Sequence, residues 1–161
     1  MTGWPLIGLA SVMAFAAPVA AQSARETPAP GGTLDLTRRI LRHVEEPGQD
    51  VAAYLRVRNG APVSDELISV SCACAERVEL HRVDRSGERP DMVTDASWEV
   101  PGNGALDVRP GSLLHFMLIG YDPTAARDGH VRLSLTFREA GTVETDFALT
   151  DDSAAAWAAF D

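Results

Sequence analysis

His115-Phe116-Met117, followed by Leu118-Ile119-Gly120, sets an imidazole and a thioether two residues apart. On a β-strand, alternate side chains take opposite faces, so His115 and Met117 share one side while Leu114, Phe116 and Leu118 share the other. The apolar trio reads as core. Packing does not ask for a His/Met pair on the opposite face, and soft thioether sulfur beside an imidazole selects Cu(I) over Zn²⁺ or hard cations. Two further residues extend the set. His81 closes Val78-Glu79-Leu80-His81, where alternation turns Val78 and Leu80 inward and leaves Glu79 and His81 outward. Met92 follows the polar run Asp84 to Asp91 and is expected in a hairpin loop, a poor place for a core methionine.

Each of these residues alone reads as a solvated surface group or as packing. Together they say more, because the chain has four methionines and four histidines. Met1 and Met13 fall in the N-terminal leader described below, so both remaining methionines belong to the set. His43 and His130 have no thioether near them and read as ordinary surface residues. Two imidazoles and two thioethers form a neutral cage that leaves Cu(I) its single charge. Only the imidazoles then make binding pH-dependent, since methionine has no proton to lose.

The elements that must position these side chains are strands. Val51, Ala53, Leu55 and Val57 alternate with Ala52, Tyr54, Arg56 and Arg58, and Val131, Leu133, Leu135 and Phe137 repeat the pattern. Turn signals such as Asn59-Gly60, Pro101-Gly102, Pro110-Gly111, Asp128-Gly129 and Ala140-Gly141 separate such runs. Strands are expected over roughly 34–43, 51–58, 66–72, 76–83, 96–100, 104–108, 113–119, 130–138 and 142–149. About eight to nine short strands indicate an all-β, two-sheet Greek-key sandwich. The Ala-rich end, 151–161, is expected as a short helix or tail.

At 161 residues and 45% hydrophobic, the chain holds one domain with material for a core. The net charge of −9 argues against a nucleic-acid partner and against docking on anionic lipid. Leu6 to Ala17 is a short apolar run, and Val19-Ala20-Ala21 before Gln22 has the small-residue pattern of a signal-peptidase site. Residues 1–21 are therefore expected as an export signal, 22–32 as a flexible linker and 33–150 as the sandwich domain. No later segment is long and apolar enough to span a membrane.

Export implies an oxidising compartment for the only two cysteines, Cys72 and Cys74. In a regular strand their Cα atoms would lie about 6.6 Å apart on one face. That is the outer edge of disulfide spacing, so a bridge needs a local bend. The pair is thus a bent disulfide, a small buried couple, or an auxiliary thiol site near the metal.

Beyond single residues, the ordered text resembles the PCu(A)C-type periplasmic copper chaperones. The matching stretches are Ala52-Ala53-Tyr54-Leu55, Arg77-Val78-Glu79-Leu80-His81, Met92, Leu106-x-Val108-x-Pro110-Gly111, His115 through Gly120, and Leu133-x-Leu135-Thr136-Phe137-x-x-Ala140-Gly141. The resemblance covers roughly residues 34 to 149. It implies a cupredoxin-like sandwich and an accessible Cu(I) site made by His81, Met92, His115 and Met117. It also implies a periplasmic location and delivery of copper to an acceptor protein, typically in cytochrome c oxidase assembly, without catalytic turnover. The chain departs from the pattern in three ways. Arg82 stands where many members carry a second methionine, the step from His81 to Met92 is one residue shorter, and the tail has no Met/His-rich extension.

A monomeric or weakly associating copper carrier is the reading these residues favour. A blue-copper electron carrier would need His₂Cys with an axial Met, and no cysteine lies near His115-x-Met117. A thiol-disulfide protein using Cys72 and Cys74 lacks the C-x-x-C spacing. A metal-free structural sandwich is the remaining alternative. No motif for hydrolase or nucleotide chemistry is present.

Overall fold

The computed structural model describes residues 33–160. The signal and linker expected over 1–32 lie outside the described residues. Ten strands form among the described residues. They are β1 (Leu34–Arg42), β2 (Gln49–Asn59), β3 (Asp65–Ser71), β4 (Arg77–Asp84), β5 (Asp91–Asp95), β6 (Trp98–Val100), β7 (Ala105–Val108), β8 (Leu114–Tyr121), β9 (His130–Phe137) and β10 (Gly141–Thr150). The helix α1 (Ser153–Ala158) ends the chain, held to β1 by Arg38, whose guanidinium lies 5.3 Å from the centre of the Trp157 ring.

The strands hydrogen-bond along one path, β5-β4-β8-β2-β1-β10-β9-β3-β6, with β7 pairing the second half of β2 beyond β8. The path folds over on itself into an all-β, nearly closed, cupredoxin-like sandwich. Trp98, on the strand at one end, packs against Phe116 from the opposite layer with ring centroids 5.4 Å apart. Strand β1 turns the corner. Its register on β2 shifts between Thr37 and Ile40, with Arg38 in a left-handed conformation at φ 52°. That extra residue bends the strand as a bulge does, and lets its second half run parallel to β10. The apolar alternation is what fills the interior. Val51, Ala53, Leu55 and Val57 of β2, and Val131, Leu133, Leu135 and Phe137 of β9, are buried together with Phe116 and Leu118 of β8.

Two expectations need correction. The strands number ten rather than eight or nine, because 91–95 pairs with β4 as an edge strand. Met92 therefore sits on a strand opposite Val83 and not in a hairpin loop. The segment is short and bounded by Asp91 and Asp95, so its composition reads as loop. Backbone pairing to β4, and Asp95 accepting from the Trp98 indole at 2.9 Å, override that composition.

Candidate metal centre

The β4–β8 ladder sets His81 directly opposite His115, and Glu79 directly opposite Met117. Residues paired in this way share a face. On the next strand out, Thr94 lies opposite His81 and Met92 opposite Val83, so Met92 stands on that same face. All four expected donors are thus on one side of the β5-β4-β8 sheet. The underside is core, with Leu80, Phe116 and Leu118 buried. Gly120 ends the motif at φ 63°, where an added Cβ would run into the Glu76 side chain. Glycine there lets β8 bend against the β3–β4 connection.

The donors are not equally close. The His81 and His115 rings meet edge to face, with centroids 5.5 Å apart at 80°. Met117 is two residues along β8 from His115 and half-buried. Met92 lies diagonally beyond His81 and is 49% exposed. On a regular sheet, two strands and four residues separate Met92 and Met117 by about 16 Å between Cα atoms. The structure gathers His81, His115 and Met117, and leaves Met92 at the far corner of the same face.

His81 faces outward, yet only 12% of its side chain is accessible, because β5 and β8 flank it. Its Nε2–H donates to Glu79 Oε2 at 2.7 Å, while Nδ1 is buried without a hydrogen-bond partner. Arg77 Nε donates to Glu79 Oε1 at 2.6 Å. These two hydrogen bonds, from His81 first and then Arg77, hold the Glu79 carboxyl below its ordinary range. Burial, and then the positive charge His81 can carry, push His115 below the usual histidine value. The lowered His115 favours the neutral imidazole that a metal ligand must present. Paired imidazoles, an adjacent thioether and an orphaned buried nitrogen fit a soft monovalent cation.

Arg82 occupies the position where many PCu(A)C-type chains carry a second methionine. Its side chain belongs to the opposite face of β4, and its Nε bonds both oxygens of Asp95 at 3.1 and 3.2 Å. That departure therefore removes no donor from the His81 face, and it ties β5 to β4. Cys72 and Cys74 follow the end of β3 and are joined in a disulfide with Cα atoms 5.0 Å apart. The chain bends there as a bridge requires, and the bonded sulfurs offer no thiolate. The pair precedes β4, at the end of that strand remote from Met92. Glu79 was not singled out from the sequence. Its signal was the i, i+2 spacing to His81, which puts a carboxylate beside the imidazole on any strand.

Comparison with known proteins agrees with this architecture. The copper-bound PCuAC domain from PmoF2 superimposes with a TM-score of 0.65 at 22% identity, covering 80% of this chain and 99% of that one. The apo PCuAC domain from PmoF1 gives 0.62 at 18%, covering 80% and 100%. The Cu(I) form of DR1885 from Deinococcus radiodurans gives 0.54 at 20%, covering 80% and 83%. No curated protein matches. The family described as "Putative lipoprotein LpqE-like" matches residues 19–149. The chain belongs to the LpqE-like family and has the PCuAC-type fold.

Proposed function

We propose that this protein is an exported copper carrier, binding one Cu(I) through His81, His115 and Met117 with Met92 closing the site. The observation that carries the reading is the cross-strand placement of His81 against His115, with Met117 beside them on the same face. Copper-bound and Cu(I)-loaded structures of similarly folded domains support it. Among the described residues no helix is long and apolar enough to cross a membrane. The leader at residues 1–21 and the lipoprotein description of the family both favour export, to the periplasm in this reading.

The mechanism is ligand exchange. A neutral four-donor set binds Cu(I) less firmly than thiolates would, and Met92, on an edge strand paired along one side only, is the donor that can leave first. An acceptor protein presenting its own soft ligands then takes the ion stepwise, with cytochrome c oxidase assembly as the destination the resemblance implies. The test is an anaerobic Cu(I) competition titration of the chain and of a His115→Ala/Met117→Leu double variant. One equivalent bound by the former and none by the folded latter is the expected result. Equal binding by both would refute the assignment.

A further inference from the structure

We propose that Glu79 is a positioning residue for the metal: it fixes the proton of His81 on Nε2 and leaves Nδ1 as the nitrogen that takes copper. This rests on the copper-carrier reading above. A carboxylate accepts hydrogen bonds and cannot donate them, so the 2.7 Å contact between Glu79 Oε2 and His81 Nε2 requires the hydrogen on Nε2. In a neutral ring the lone pair is then on Nδ1. That atom is buried and has no hydrogen-bond partner, a costly state for a lone pair unless something takes it up. His115 lies directly across from the ring, on the same face.

Arg77 makes the arrangement directional. Its Nε donates to Glu79 Oε1 at 2.6 Å, holding the carboxylate so that the second oxygen meets His81. Arg77, Glu79 and His81 are alternate residues of β4, so one strand supplies the whole relay. A carboxylate behind a ligating histidine both sets its tautomer and raises its basicity. The arrangement also predicts how the amide analogue fails. In Glu79→Gln the Arg77 donor keeps the carbonyl oxygen, so the amide NH₂ faces Nε2. The ring must then accept at Nε2, and its proton moves to Nδ1, blocking the metal.

The experiment combines long-range ¹H–¹⁵N correlation spectra of the copper-free chain with anaerobic Cu(I) competition titrations. The unsubstituted chain should show His81 protonated on Nε2. Glu79→Gln should show the proton on Nδ1, with Cu(I) affinity lowered about 10- to 100-fold and an unchanged fold by circular dichroism. Glu79→Ala, which imposes no tautomer, should lose less than Glu79→Gln. In a His81→Ala background, Glu79→Gln should cost nothing further. A proton on Nδ1 in the unsubstituted chain, or a Glu79→Gln variant unchanged in both tautomer and affinity, would overturn the proposal. So would an equal loss in the His81→Ala background, which would make Glu79 a direct ligand. An unsubstituted chain that binds no Cu(I) would overturn the carrier reading as well. Tight binding with the wrong tautomer would overturn this proposal alone.

Discussion

His81 and His115 occupy opposite positions of neighbouring antiparallel strands, with ring centroids 5.5 Å apart. Two imidazoles this close resist joint protonation, and His115 is displaced below its ordinary value by burial first and by His81 second. His115 is therefore biased toward the neutral form that binds metal before any metal arrives. A fully buried Phe116 lies on the reverse side of the β8 strand that carries His115 and Met117.

The two methionines should contribute unequally. Met117 is adjacent to the imidazole pair and half-buried, whereas Met92 is 49% exposed on an edge strand. Met92→Leu is expected to weaken Cu(I) binding about tenfold, near 1.4 kcal/mol. Met117→Leu should weaken it more. Competition titrations of the two variants side by side check the ranking, and equal losses would mean that both sulfurs are held alike.

Removing the disulfide should leave the metal site unaffected. Cys72→Ala with Cys74→Ala takes away a bridge that closes a very short loop, for which chain entropy gives about 1–2 kcal/mol. Chemical unfolding should show a loss of that size, and Cu(I) affinity should be unchanged. A fall in affinity would mean that the reduced thiols take part.

Acid stability should carry the signature of Asp107. Arg56 donates to both of its oxygens at 2.5 and 2.9 Å, and those hydrogen bonds hold the carboxyl below its ordinary value of 3.8. With the folded value below the unfolded one, the contribution is complete above about 3.8 and is lost as pH falls through the depressed value. Asp107→Asn should be less stable at neutral pH and should lose less on acidification. Thermal melts from about pH 6 down to about pH 2.5 measure both.

Most strands were legible because buried side chains recur every second residue, as in Val131, Leu133, Leu135 and Phe137. The face shared by His81, His115 and Met117 followed from the same period, since alternation assigns faces without knowing which strands pair. The register that puts His81 opposite His115 did not follow, being set by pairing between strands more than thirty positions apart. Strand β5 was hidden for a related reason. Val93 and Thr94 favour a strand but are too few between Asp91 and Asp95 to mark one, and its place depends on β4 beside it and on Asp95 reaching Trp98 and Arg82. The bulge at Arg38 was equally invisible, since a left-handed arginine leaves no mark in composition.

The most direct test of the account is copper K-edge X-ray absorption on the chain loaded anaerobically with one equivalent of Cu(I). The account predicts a mixed first shell of nitrogen and sulfur that survives Cys72→Ala with Cys74→Ala and loses part of its sulfur in Met117→Leu. A shell of nitrogen and oxygen alone, or one whose sulfur disappears with the cysteines, would contradict it.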